Sequence, residues 1–214
     1  MFFDELYILG SGGHGKVVAE IALKSERFKK IYFLDDNYEK RKYVYSIEVK
    51  GDLSEISLNK IVKSKSAAIT AFGDGYLRSK YHIILKKLKI PIISLVHKSS
   101  QVSTFSRISL GTSICAGTII GPNAEIGEGV IINHNSSVDH DCKIKDFVHI
   151  CPGVNLAGSV TVDQFTQVGI GSSVIQGIKI GHNCQVGAGS VVIKNVKDKS
   201  KVVGVPAKDM VNFC

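Results

Sequence analysis

Every sixth residue from Val102 onward is aliphatic: Ile108, Ile114, Ile120, Ile126, Ile132, Val138, Ile144, Ile150, Leu156, Val162, Val168, Val174, Ile180, Val186 and Val192, with the run ending at Asp198. Neither a helix of 3.6 residues per turn nor the alternation of a single strand sustains a strict period of six. A solenoid does. Each hexapeptide then supplies one short strand and one turn, and its aliphatic side chain points inward. Three hexapeptides close a triangular coil of eighteen residues, and successive coils stack at the ~4.8 Å spacing of paired strands. Two positions before the aliphatic residue the chain is mostly small, as at Thr118, Ala124, Ser136, Cys142 and Ser172, and glycine often follows it, as at Gly121 and Gly169. Small residues suit the tight corners that such a coil requires.

The first 95 residues are written differently. Leu6–Leu9 reads as a buried strand and runs directly into Gly10-Ser11-Gly12-Gly13-His14-Gly15. Val17, Val18, Ile21 and Ala22 follow at helical spacing, and Ile31–Leu34 reads as a second strand ending in Asp35-Asp36. A strand, a glycine-rich turn, a helix and a second strand with an acid about twenty residues on describe a nucleotide-binding βαβ unit. Glycines let backbone N–H groups approach a phosphate at the helix N-terminus, and the acid takes hydroxyls or a base. The segment has room for one mononucleotide-binding half, which suits the phosphates of one nucleotide better than NAD. A hairpin-like stretch, a helix near Ser54–Lys63, a strand at Ala67–Phe72 ending at Gly73, a helix near Tyr76–Leu88 and a strand at Ile92–Val96 complete this domain.

The expected organisation is therefore an α/β half-Rossmann domain over residues 1–95, a parallel β-helix over 96–200 and a tail over 201–214. Five cysteines, odd in number and without a CxxC pair, point to reduced thiols rather than a disulfide frame or a zinc site. No apolar run approaches the ~18 residues of a membrane span, and the start, with Asp4 and Glu5, has no basic leader. These features predict a cytoplasmic protein without membrane insertion. The net charge of +8 comes from 27 basic and 19 acidic residues. The lysines are dispersed, without an arginine stripe or an aromatic platform, so nucleic acid is not the expected partner. Small polyphosphates suit such a surface.

Among the prism histidines His134, His140, His149 and His182, His140 stands out because Asp141 follows it. A neighbouring carboxylate orients an imidazole and makes it more basic. Eighteen residues on from His140 is Gly158, one coil above, where a glycine leaves room beside the ring and exposes a backbone N–H. His149 is nine residues away, half a coil round. Ile170 and Ala188 share one column with His134. Some trimeric prisms hold a metal between histidines, but His134 and His140 are six apart and point from adjacent faces, so no metal is expected.

Taken together, the GxxGHG-type turn at Gly10–Gly15, Phe33-Leu34-Asp35-Asp36, His97-Lys98-Ser99 and the hexapeptide prism resemble the hexapeptide-repeat sugar acyltransferases of the sialic-acid O-acetyltransferase group. Within it the chain is most similar to N-acetyltransferases of UDP-linked 4-amino-4,6-dideoxy sugars, as in bacillosamine synthesis. Val203–Lys208 also resembles a GxPAK tail of this superfamily, which lies near bound coenzyme A. The resemblance implies a left-handed helix, a homotrimer with interfacial active sites, and acetyl-CoA as co-substrate. It assigns Gly12, Gly13, His14, Gly15, Asp35, Asp36 and Gly73 to the nucleotide sugar. It makes His140 the general base and Asp141 its helper, places Gly158 near the thioester carbonyl, and gives His149, Ile170 and Ala188 contacts with acetyl-CoA. In the family the helper acid is commonly Glu, and Asp141 is one methylene shorter. The function so implied is N-acetylation of a nucleotide-linked amino sugar for surface-glycan synthesis. The alternatives are O-acetylation of a sugar hydroxyl, such as that of sialic acid, and a metal-dependent prism.

Overall fold

Leu6–Leu9 forms the centre of a three-stranded parallel sheet in the computed structural model, which describes residues 3–54, 57–59 and 65–210. The chain divides into two units, Met1–Lys98 and Ser99–Cys214. In the first, β1 (Glu5–Leu9) leads into α1 (Gly13–Ser25) and β2 (Lys30–Leu34). A hairpin of β3 (Tyr43–Val44) and β4 (Ile47–Glu48) follows, then β5 (Ser66–Thr70) and α2 (Gly75–Lys87). The sheet order is β2-β1-β5. Leu6, Tyr7, Ile8 and Leu9 are fully buried because a central parallel strand is covered on both faces. Helix α1 buries Val18, Ala19, Ile21 and Ala22 and ends on Glu26 in the left-handed region, at φ 54°. Helix α2 is started by Asp74, whose carboxylate accepts the Leu77 N–H at 2.7 Å, and ends with Lys86 and Lys87 where cations favour the helix dipole.

Two expectations for this unit need comment. The helix expected over Ser54–Lys63 lies mostly outside the described residues, of which 57–59 are helical. The strand expected at Ile92–Val96 is reduced to Leu95–Val96, and Ile92 makes a single bridge to Ala68.

The second unit is a left-handed parallel β-helix. Strands pair with the strand eighteen residues later, as in Ile114–Ile132–Ile150–Val168–Val186 and Val102–Ile120–Val138–Leu156–Val174–Val192. The third face runs Ile108–Ile126–Ile144–Val162–Ile180. From Ile114 to Val192 every aliphatic residue of the six-residue series is at most 3% exposed. The small polar residues two places earlier are not simply tolerated. Their buried side chains donate to the carbonyl fifteen residues on: Thr112 to Gly127 at 2.8 Å, Ser136 to Cys151 at 3.0 Å, Thr166 to Gly181 at 2.6 Å and Ser172 to Gly187 at 2.9 Å. Each hydroxyl thus satisfies its hydrogen bond inside a wall that water cannot enter.

The register changes where the aliphatic series stops. Ile180 bridges Val196, and Gln185–Val186 pairs with Lys201–Val202, an offset of sixteen rather than eighteen. The last coil is two residues short. Lys201–Val203 is therefore a strand of the prism and not the start of a separate tail, and Lys208–Asp209 folds back on it antiparallel.

Candidate active site

At the C-terminal ends of its strands the first unit gathers Gly10–Gly13 after β1, Asp35 after β2 and Gly73 after β5, the place where parallel α/β sheets take ligands. The glycines differ in what they are for. A Cβ on Gly15 would overlap the Gly10 carbonyl oxygen, so Gly15 is needed for the close approach of α1 to the end of β1. Among the described residues, a Cβ on Gly12, Gly13 or Gly73 would meet no atom beyond the adjoining backbone, and none of the three has a positive φ. Neither packing nor backbone conformation requires glycine there. Open space over the first turn of a helix is what an incoming phosphate needs. His14 sits half-buried in that turn.

Asp35 is occupied by the chain itself. Its Oδ2 accepts from the Ser11 N–H and hydroxyl, both at 2.8 Å, and its Oδ1 accepts from the Asn37 N–H at 3.0 Å. Burial raises its pKa, but these hydrogen bonds outweigh burial and hold the carboxyl below its ordinary range. Asp35 thus clamps the glycine-rich turn to the end of β2. Asp36 accepts the Leu53 N–H at 3.0 Å. Beside Gly73, the fully buried guanidinium of Arg78 donates to the carbonyls of Phe72 at 2.7 Å and Gly73 at 3.0 Å. Burial brings its pKa down to about 10, against the pull of Asp74, so it keeps its charge at neutral pH.

In the prism, His140, Asp141 and Gly158 come together at one corner. The His140 Nδ1 lies 2.8 Å from Asp141 Oδ2, so the shorter acid does reach the ring. It can do so because Asp141 takes the left-handed conformation, φ 59°, which folds its side chain back. The hydrogen bond to Asp141, and then the charge of Asp139, raise the His140 pKa above its ordinary value. Asp139 also accepts the His140 N–H at 2.7 Å. With Nδ1 committed to the carboxylate, Nε2 is the nitrogen left for chemistry. It faces Gly158: a Cβ there would fall 2.5 Å from Nε2. Among the described residues, no acceptor takes the Gly158 N–H.

Ile170 and Ala188 line a groove of about 370 Å³ with Cys151, Gln167, Gln185 and Val203. His149 is in register with Gln167 on the same face, and its Nε2 lies 3.3 Å from the Asn133 side-chain amide nitrogen. Among the described residues no group of three or more His, Cys, Asp and Glu is placed to hold a metal ion.

Three features escape a reading by adjacency. Asn123 at Asp141 is found only by counting back a coil, and Asn133 at His149 sits two residues beyond the one that such a count reaches. A second His–Asp pair, His182 Nδ1 to Asp198 Oδ2 at 3.0 Å, spans sixteen residues and is created by the shortened last coil. No glycine stacks on this ring as Gly158 does on His140: the residue one coil on from His182 is Asp198 itself, its ion-pair partner.

Residues 5–85 match the family described as the PglD N-terminal domain. The acetyltransferase domain of PglB from Neisseria gonorrhoeae, solved with acetyl coenzyme A, is 31% identical. The match covers 97% of this chain and 99% of that one, with a TM-score of 0.93. PerB from Caulobacter crescentus, solved with CoA and GDP-perosamine, is 32% identical over 96% of each chain, with a TM-score of 0.89. WeeI from Acinetobacter baumannii is 26% identical, covering 95% of this chain and 98% of that one, with a TM-score of 0.86.

Proposed function

We propose, for a chain that belongs to the hexapeptide-repeat sugar acyltransferases, that it moves the acetyl group of acetyl-CoA onto the amine of a nucleotide-linked 4-amino-4,6-dideoxy sugar. The observation that carries this reading is His140, held through Nδ1 by Asp141, with the Cε1–Nε2 edge of its ring against Gly158. Acetyl transfer from a thioester needs a base for the attacking nitrogen, a donor for the oxyanion and a slot for pantetheine. No protein nucleophile is required. The sugar nitrogen forms a bond to the thioester carbon while His140 Nε2 takes its proton. The oxygen of the tetrahedral carbon accepts from the Gly158 N–H. The C–S bond then breaks, the thiolate takes back a proton, and amide and free thiol result.

Acetyl-CoA is assigned to the groove of Ile170 and Ala188, with His149 beside it, and the nucleotide to Gly12, Gly13 and Gly73. His14, Asp35 and Asp36 border the nucleotide, Asp35 by fixing the turn, while Gly15 supports the site through packing. The PglB and PerB complexes, whose ligands are acetyl-CoA and GDP-perosamine with CoA, support both classes of ligand. The same placement supports a homotrimer. Within one chain His140 and the Ile170–Ala188 groove occupy different corners of the triangle, about 20 Å apart for six extended residues. A thioester lying in that groove meets a His140 only when the histidine comes from a neighbouring copy. We assign the enzyme to the cytoplasm, where acetyl-CoA and nucleotide sugars occur.

A panel of nucleotide-linked 4-amino sugars, with the matching hydroxyl sugars, incubated with acetyl-CoA and followed by free thiol, tests the reading. Turnover with amines only is the expected result. Turnover with hydroxyl sugars only would replace it with O-acetylation.

A further inference from the structure

The pair His140–Asp141 is the end of a longer chain of contacts. Asn123 lies eighteen residues before Asp141, one coil below, and its side-chain amide donates to Asp141 Oδ1 at 3.2 Å. Oδ2 of the same carboxylate holds the imidazole at 2.8 Å. The two corners are joined independently by the backbone, Asp141 N–H to Pro122 carbonyl at 3.0 Å. Asn123 and Asp141 have the same left-handed conformation, both at φ 59°. Each side chain therefore leaves its corner in the same direction, and the amide arrives at the carboxylate oxygen that the histidine does not use.

We propose that Asn123 is a positioning residue of the acetyl-transfer site, holding Asp141 in the rotamer that orients the base His140. The proposal rests on the reading of His140 as that base. Asp141 is half exposed, so without a second anchor its carboxylate can turn into solvent, where the Nδ1 bond is lost. A carboxylate fixed at both oxygens spends more of its time on the ring. Asn123 also contributes to holding the Asp141 carboxyl below its ordinary pKa, second to His140 itself. The charged groups that face His140 are Asp141 and Asp139, and Asn123 contacts only the first.

Asparagine is also favoured at left-handed corners for conformational reasons alone, and Asn135 and Asn183 occupy such corners here. The test has to separate the amide from the corner. Asn123→Gly does so, since glycine accepts φ 59° without strain and removes only the side chain. The companion variant is Asp141→Gly, which removes the carboxylate on the same principle. For Asn123→Gly the expected result is a kcat lower by about two- to tenfold, the worth of one ordinary hydrogen bond. Both KM values and the melting temperature should stay unchanged. The acidic limb of the pH–rate profile should move down, because a less constantly paired imidazole is less basic. In an Asp141→Gly background, removing the Asn123 side chain should have no further effect on kcat.

A wild-type kcat and pH profile for Asn123→Gly, beside an inactive His140→Ala, would overturn this proposal while leaving the base in place. So would an equal loss in the presence and absence of Asp141, since Asn123 would then act elsewhere. A fully active His140→Ala would sink the base and with it the role of Asn123.

Discussion

The sharpest demand the structure makes is on Gly158. Its φ is not positive, so alanine is compatible with the backbone, and the strand pairs on either side of the corner need not change. The added methyl would nevertheless lie 2.5 Å from His140 Nε2, and ordinary contact begins about 1 Å farther out. Something has to retreat, and the imidazole is the softer partner, since half of the side chain is solvent-exposed. Turning it outward by about 1 Å breaks a 2.8 Å bond to Asp141 and carries Nε2 away from the attacking nitrogen. A displacement of that size at a reacting group costs about 10²-fold in rate. Gly158→Ala is therefore expected to lower kcat about a hundredfold, measured as thiol release at saturating substrates. The acidic limb of the pH–rate profile should drop towards the pKa of an ordinary histidine, because an imidazole freed from Asp141 loses its main source of added basicity. The melting temperature should not fall, since no buried contact is lost. A Gly158→Ala enzyme with near wild-type kcat and an unmoved acidic limb would refute the placement of chemistry beneath this residue.

The remaining predictions separate the two units and the two histidine pairs. His140→Ala should lower kcat by about 10²–10⁴-fold, the range for a general base, with the proposed homotrimer retained by light scattering. His182→Ala, which removes the other His–Asp pair, should leave kcat near wild type, and comparable losses in both would mean that neither pair is special. Gly13→Val should fold normally, because none of the described residues occupies the space above it. Its KM for the nucleotide sugar should nevertheless rise about tenfold or more, equivalent to ~1.4 kcal/mol of binding, while that for acetyl-CoA stays put. Ala188→Phe should do the reverse by filling the groove it shares with Ile170, and unchanged acetyl-CoA saturation would move the thioester elsewhere.

Much of the fold could be read from the chain because a solenoid repeats one local rule. The aliphatic positions are fixed by the interior, and an eighteen-residue count places every corner next to its neighbours without any knowledge of distant contacts. That count put Gly158 over His140 and Ile170 on the column of Ala188. It fails where the repeat is broken. Nothing in the residues after Val192 announces a coil of sixteen, so the pairing of His182 with Asp198 and the incorporation of Lys201–Val203 are properties of the folded end. In the first unit the strand and helix order was legible from apolar runs, but the occupation of Asp35 was not. Asn37 is a local partner two residues on, but Ser11 is an ordinary loop residue until the sheet brings the ends of β1 and β2 together.

The corner chemistry shows why a prism is a suitable carrier for such a reaction. A lone histidine on a surface turn has mobile neighbours and an ordinary pKa. Here the turns are spaced by the strand pairing above and below, so three consecutive levels meet at fixed height: Asn123 below, His140 and Asp141 in the middle, and Gly158 above. The lowest level supplies a donor, the middle one a carboxylate and the proposed base, and the top one a glycine whose missing side chain makes room for the imidazole. Asn123, His140 and Asp141 are exposed, and Gly158, though buried, packs against the His140 ring rather than in the aliphatic columns, so those columns do not set these four identities. Stability resides in those columns. Replacing Ile150 with Ala would remove a fully buried side chain at a cost of about 2–5 kcal/mol. Replacing His140 changes a half-exposed corner. The fold therefore separates the residues that make it rigid from those that use the rigidity, and a substitution at the corner should register in kcat long before it registers in melting temperature.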